Sequence, residues 1–322
     1  MKYPIRVLQV VTYMGRGGLE TMLMNYYRHI DHSKVQFDFL THREFEADYD
    51  KEILSLGGQI FHLSKLNPIS FSYKKELDEF FDSHQEYKVV HSHLDCMSGI
   101  PLKEARKCHI PYRIAHAHSS NQTKDIKYPL KLIFKRNITK NANYLFACGE
   151  QAGKWMFNTD NFKVLNNAID AKAYSFNSIY RKSIRKEFYI PNDSFVIGHV
   201  GRFMNPKNHT FIIDIFNQFH KDHPNSYLML VGEGELKTSI QDKVRTLGLE
   251  DYVIFTGLRS DVNELLQAMD VFLFPSLYEG LPVSIIEAQA AGLPCLISDK
   301  VPIECKKTDL VYQLSLEDSV NI

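Results

Sequence analysis

The sequence predicts an α/β protein made of two Rossmann-like domains, each a parallel sheet with helices on both faces. Three observations predict it. Short apolar runs of strand length alternate with helix-period segments along the chain, which is the order of βαβ units. The series pauses at "NNAIDAKAYSFNS", near residues 168–178, and then restarts. Residues with binding chemistry gather where apolar runs end, and open parallel sheets hold ligands at the carboxyl ends of their strands. The boundaries that follow are 1–170 and 171–322, two domains facing each other across a cleft. A chain of 322 residues is long enough for both.

In the first domain the expected strands are "IRVLQVV", "QFDFLT", "QIFHLS", "YKVVHSH", "YRIAHAH" and "YLFACG". In the second they are "FVIGHVG", "YLMLVG", "VIFTGL", "DVFLFP" and "LPCLIS". Helical spacing marks "LETMLMNYYRHI" and "LKTSIQDKVRTLG". The stretch "LYEGLPVSIIEAQAAGLP" reads as a turn and a helix over 283–291, with Pro282 at its start and Gly292 as its left-handed stop.

Composition narrows the class. Apolar residues make 44% and charged residues 24%, with no net charge, which describes an ordinary globular chain. The first half is slightly basic and the second slightly acidic, far from the strongly basic domain that nucleic acid demands. No apolar run reaches the roughly 18 to 20 residues of a membrane span, and no signal peptide is visible. The five cysteines, Cys96, Cys108, Cys148, Cys295 and Cys305, form no C-x-x-C pair, so free thiols and a cytoplasmic setting are expected.

Several strand ends carry candidate chemistry. Gly15, Gly17 and Gly18 follow the first strand. Glu20 stands where a dinucleotide loop needs glycine or alanine, which argues against an NAD-dependent oxidoreductase. Arg202 and Lys207 follow the strand that ends at Gly201 and suit a diphosphate, Arg as a fork and Lys as a point charge. His91, His93, His116 and His118 form two His-x-His pairs. No carboxylate or cysteine joins them at ligand spacing, so one histidine reaching the cleft is expected and no metal. Asp48 and Asp50 open a helix and are read as capping charge, not as magnesium ligands. Residues 124–140 hold Lys124, Lys127, Lys131, Lys135, Arg136 and Lys140 against Asp125 alone. Lys127, Lys131 and Lys135 share a helical face, a pattern suited to a solvated helix or to an anionic membrane surface. Finally, Glu279 lies in the loop before the helix 283–291 and Glu287 inside it. Unpaired N–H groups at the helix start attract an anion. Gly280 lets a phosphate approach, and the two carboxylates suit hydroxyls on either side of it.

Together "GGLE", "HAHSS", "VGRFMNPKN", "LVGEGEL", "FTGLRSDV" and "PSLYEGLPVSIIEAQAAGLP" resemble the family 4 glycosyltransferases, of GT-B fold, and most nearly those of bacterial capsule, exopolysaccharide or O-antigen assembly. The set spans nearly the whole chain in the family's order, and Glu279 and Glu287 match its Glu-x7-Glu signature. The resemblance implies retaining transfer from a nucleotide diphosphate sugar, a UDP-hexose or UDP-N-acetylhexosamine, to a lipid-linked saccharide, without metal or other cofactor. It implies that Glu279 binds sugar hydroxyls and Glu287 the ribose diol. Gly280 and Leu281 offer N–H groups to the diphosphate, and Arg202 and Lys207 neutralise it. His118 faces the donor sugar, Gly17 and Gly18 line the cleft near the diphosphate and acceptor, and the loop from Gly257 to Arg259 meets the base. A peripheral place on the inner membrane face, through 124–140, is the matching location. Members of the family usually run further, so a truncated end after "SLEDSVNI" is expected, and a sugar-nucleotide-binding protein without turnover is the alternative. A phosphorylase of similar fold lacks a candidate lysine for a pyridoxal cofactor.

Overall fold

A computed structural model describes residues 4–121, 126 and 128–317. The chain divides into two compact units, Met1–Ala168 and Ile169–Ile322. Among the described residues, unit 1 forms a parallel sheet of strands β1 (Ile5–Val10), β2 (Val35–Thr41), β3 (Ile60–His62), β4 (Val89–Ser92), β5 (Tyr112–Ala117), β6 (Tyr144–Ala147) and β7 (Lys163–Val164). Their spatial order is β3-β2-β1-β4-β5-β6-β7. Unit 2 forms a second parallel sheet of β8 (Phe195–Val200), β9 (Ser226–Val231), β10 (Val253–Gly257), β11 (Val271–Phe274), β12 (Cys295–Ser298) and β13 (Val311–Leu314). Its order is β10-β9-β8-β11-β12-β13. Both orders reverse beside the first strand, between β1 and β4 and between β8 and β11. Such switch points are where a Rossmann-like sheet takes a ligand.

Helices cover the sheets because their apolar stripes need burial. In unit 1 the helix Gly18–His29 buries Met22, Leu23, Met24 and Tyr27 in one cluster with Phe39 of β2. On β2 Asp38 is fully buried. It is ion-paired with Arg6 and accepts from Tyr87 Oη at 2.8 Å and from the Gln59 N–H at 2.7 Å. In unit 2, Phe203, Ile212, Phe216, Leu228 and Leu230 share the core. Arg185 is 1% exposed. It donates to Asp270 at 2.8 Å and to the carbonyls of Pro191, Asn192, Ser194 and Ala268. That satisfies a buried cation and fastens the helix Ser178–Glu187 to the start of β11.

All eleven expected strands are present. Two short edge strands, β7 and β13, were not anticipated. Both residues of β7 are exposed, and β13 buries only Val311, so neither carries an apolar run. Asp50 opens the helix Asp50–Ser55 and supplies first-turn charge as expected, but the N-cap is Tyr49, without a side-chain capping bond among the described residues. Asp50 instead accepts from the Ala47 N–H at 2.8 Å, and Asp48 lies 3.7 Å from Arg16. Of the basic segment, Lys124, Asp125 and Lys127 lie outside the described residues. Lys131 and Lys135 stand on the helix Tyr128–Lys135. The Lys135 ammonium donates to the Trp155 carbonyl and sits 4.3 Å above the Trp155 ring, so it does not extend the solvent-facing row expected of it. No helix among the described residues is long and apolar enough to cross a membrane. All five cysteines are free thiols.

Candidate active site

The switch point of unit 2 gathers most of the expected residues. After β8 the chain passes through Gly201, Arg202 and Phe203 into a short turn, Asn205–Lys207. Asn208 then takes a left-handed φ of 56° and the helix His209–Asp222 begins. After β11 the chain passes through Pro275 to Glu279 and enters the helix Val283–Ala290. The two loops are stitched together. The Leu277 N–H donates to the Pro206 carbonyl at 2.8 Å, and Asn208 Nδ2 donates to the Pro275 carbonyl at 3.2 Å.

Across this seam Lys207 Nζ meets Glu279 Oε1 at 2.7 Å. The same ammonium lies 4.5 Å from the centroid of the Phe274 ring. Both side chains are largely buried, which strengthens their attraction over that of a surface pair. Arg202, five residues earlier on the same loop, is exposed. Gly280 and Leu281 are buried and lead into the helix Val283–Ala290. Pro282 was expected as its first helical residue but is its N-cap, extended at φ −70° and ψ 116°. This helix ends as expected, at Gly292 with φ +80°.

Glu287 is 6% exposed, and burial pushes its carboxyl above the ordinary range. Its stabilising partner is Tyr174, whose hydroxyl donates to Glu287 Oε1 at 2.6 Å and opposes that rise. Tyr174 lies in the stretch read from the sequence as linker. Nothing in that stretch marked it, because the contact spans more than a hundred residues. Arg259 is less available than its place in the expected base-binding loop suggested. Its guanidinium donates to Asp261 at 2.8 and 2.6 Å and to Glu187 at 2.6 Å, and it packs on the Phe188 ring. That binds the loop after β10 to the helix Ser178–Glu187.

The motif "LVGEGEL" has a steric role that spacing did not reveal. Gly232 has φ +142°, and a Cβ there would lie 2.3 Å from the Gly201 carbonyl oxygen. The β9 loop therefore presses directly on the backbone that carries Arg202.

The comparisons accord with this geometry. The model of the family "Glycosyl transferases group 1" matches residues 180–306. EpsF of Bacillus subtilis (strain 168), a glycosyltransferase by name, is 38% identical over 332 residues, spanning 98% of this chain and 85% of EpsF. The chain belongs to the group 1 glycosyltransferases. A second relative of this glycosyltransferase is the UDP-Gal:alpha-D-GlcNAc-diphosphoundecaprenol alpha-1,3-galactosyltransferase of Escherichia coli, 27% identical over 67% of this chain and 58% of that enzyme. Among solved structures, Anabaena Alr3699/HepE in complex with UDP and glucose superposes with a TM-score of 0.79 at 17% identity. It covers 97% of this chain and 86% of HepE. At that identity the likeness shows the fold, which is GT-B, the class expected from the sequence.

In unit 1 of the glycosyltransferase, Gly17 precedes the helix Gly18–His29 and Gly18 begins it. A Cβ on Gly18 would meet open space. His118 follows β5 and is partly exposed. Its Nε2 is 2.8 Å from His93 Nδ1, and His93 Nε2 is 2.9 Å from Gln9 Oε1. Burial drives the His118 ring down to about 3, so it is neutral near pH 7. One histidine was expected to reach the site. Instead all four rings lie together. Those of His91 and His116 hold buried nitrogens with no hydrogen-bond partner among the described residues.

Proposed function

We propose that this glycosyltransferase moves a sugar from a UDP-sugar to a lipid-linked saccharide acceptor, with retention at the anomeric carbon, in bacterial surface polysaccharide assembly. The observation that carries the donor half is the Lys207–Glu279 pair at the mouth of β8 and β11. It puts a cation and a hydroxyl acceptor side by side at the start of a helix. The diphosphate binds against Arg202, Lys207 and the N–H groups from Gly280 onward. Glu279 accepts from the donor sugar and Glu287 from the ribose diol. The names of two similar proteins support a UDP donor, one acting on UDP-Gal and a lipid diphosphate saccharide, the other holding UDP.

Chemistry follows from where charge develops. The anomeric bond breaks through an oxocarbenium-like state while negative charge builds on the departing diphosphate. Arg202 and Lys207 meet that charge where it forms, which lowers the barrier more than ground-state binding would. The acceptor hydroxyl attacks from the face that the diphosphate leaves, and a diphosphate oxygen takes its proton. Two protein cations perform the neutralisation that a divalent metal performs elsewhere, so the reading is metal-independent. Unit 1 is assigned the acceptor, with Gly17, Gly18 and His118 along the carboxyl edge of its own sheet.

The experiment is a panel of UDP-, GDP- and dTDP-sugars with calorimetric binding and product analysis. The reading expects one UDP-sugar to bind, its free UDP to appear, and the product to be the α-linked saccharide from an α-linked donor. Binding without transfer or hydrolysis would leave a binding protein only. No binding by any donor would reject the reading.

A further inference from the structure

β4 and β5 run side by side and bring two His-x-His pairs onto one face of the unit 1 sheet. The ring centroids of His91 and His93 are 4.1 Å apart, those of His91 and His116 5.2 Å, and those of His93 and His116 5.3 Å. All three residues are buried. One ring nitrogen from each lies within 4.8 Å of the other two.

Buried imidazole nitrogens ordinarily have partners, because an unpaired polar atom in an apolar setting is costly. Here His91 Nε2 and both nitrogens of His116 have none among the described residues. His93 already has the outer partner that metal-bound histidines use. Its Nε2–H donates to Gln9 Oε1 at 2.9 Å, which leaves the lone pair on Nδ1. That Nδ1 now meets His118 Nε2 at 2.8 Å.

We propose that His91, His93 and His116 bind one zinc ion within unit 1. Neutral imidazoles with no carboxylate oxygen are a donor set for zinc and its neighbours, not for magnesium or calcium. Nitrogen ligands at about 2.0–2.1 Å from a tetrahedral ion stand about 3.3 Å apart. The donors at up to 4.8 Å therefore close by side-chain rotation while the two strands keep their register. His93 turns its Nδ1 lone pair from His118 to the ion and keeps Gln9. The fourth position opens on the side of His118, which is partly exposed and gives the ion its path. On spacing alone the two pairs carried no such expectation. The adjacency of β4 and β5 supplies it, and the site is independent of the donor chemistry assigned to unit 2.

The test uses the untagged full chain. After exposure to ZnCl2 and exhaustive dialysis, element analysis should find one zinc per chain, with a raised Tm, while MgCl2 leaves Tm unchanged. With Co2+ in place of zinc, proton NMR should show three hyperfine-shifted, exchangeable imidazole N–H signals. The double variant His91→Gln/His116→Gln should retain neither ion, and His29→Gln/His32→Gln, at exposed and half-buried positions, should retain both. No zinc on the wild-type chain overturns the proposal. So does retention by the first double variant, loss in the second, or a count other than three. If the first variant does not fold, the wild-type signal count decides.

Discussion

Lys207 Nζ and Glu279 Oε1 are 2.7 Å apart, joined across loops that follow two neighbouring strands, β8 and β11. Each is held from behind. Phe274 faces the ammonium, and the Leu277 N–H to Pro206 carbonyl bond holds the two loops in line. The cation is therefore fixed before any donor arrives, and fixed charge is what lowers a barrier without reorganisation.

Lys207→Ala removes that charge and the 2.7 Å ion pair to Glu279, and with them the cation that the proposed mechanism sets against the departing diphosphate. The variant should lose about 100- to 1000-fold in kcat/KM, with UDP affinity also weakened. Lys207→Arg keeps the charge and should recover part of it. Steady-state kinetics with the active donor check this, and an unchanged kcat/KM for Lys207→Ala contradicts it.

Much of this was legible in the sequence. Most central strands show as largely apolar runs such as "YLMLVG", because a parallel strand is buried on both faces. Gly292 marked its helix end because only a left-handed residue fits there. What escaped were relations between distant residues. Tyr174 reads as linker until the fold sets it against Glu287, 113 residues on. Arg259 reads as a loop cation until Asp261 and Glu187 close on it. The strands β7 and β13 escaped because an edge strand is wet on one side and needs no apolar run. The histidine pairs were visible, but not that adjacent strands would stack them.

Tyr174→Phe removes a hydrogen bond to a buried carboxylate and should cost about 1.5–3 kcal/mol of stability. Its sharper signature is pH dependence. Burial raises the Glu287 carboxyl and Tyr174 opposes the rise, so the variant protonates at still higher pH. If Glu287 accepts from the ribose diol as proposed, its protonated form accepts poorly. UDP affinity should therefore fall on acidification in both proteins, and begin to fall at higher pH in the variant. Coincident profiles from calorimetric titration would separate Tyr174 from Glu287.

Gly232→Ala tests the contact between the β9 and β8 loops. Its φ of +142° and the Gly201 carbonyl oxygen 2.3 Å from an added Cβ leave no room for a methyl group without moving backbone. The cost should exceed about 1 kcal/mol, and the displaced backbone is the one that carries Arg202. A lowered Tm with weakened UDP binding is expected. Alanine at Gly248, where φ is +68° but no atom lies within 4 Å, should lower Tm and leave UDP binding alone.

His199 and His209 should make unit 2 sensitive to acid. His199 Nδ1–H donates to the Leu273 carbonyl, 2.9 Å away, and among the described residues its Nε2 and both nitrogens of His209 have no hydrogen-bond partner. Burial foremost, with the nearby Lys207 charge, lowers both rings, His209 to about 4. An unfolded histidine takes its proton near pH 6.5, while the folded rings refuse it. The unfolded chain thus binds more protons, and stability falls as pH drops from about 6.5 towards 4, by up to about 1.4 kcal/mol per pH unit for each ring. His209→Phe keeps an aromatic ring against Phe203, where the centroids are now 4.1 Å apart, and cannot titrate. Its urea-unfolding free energy should decline less steeply over that range, by close to one proton in the slope. Equal slopes for the variant and the wild-type chain would mean that His209 is protonated in the folded state.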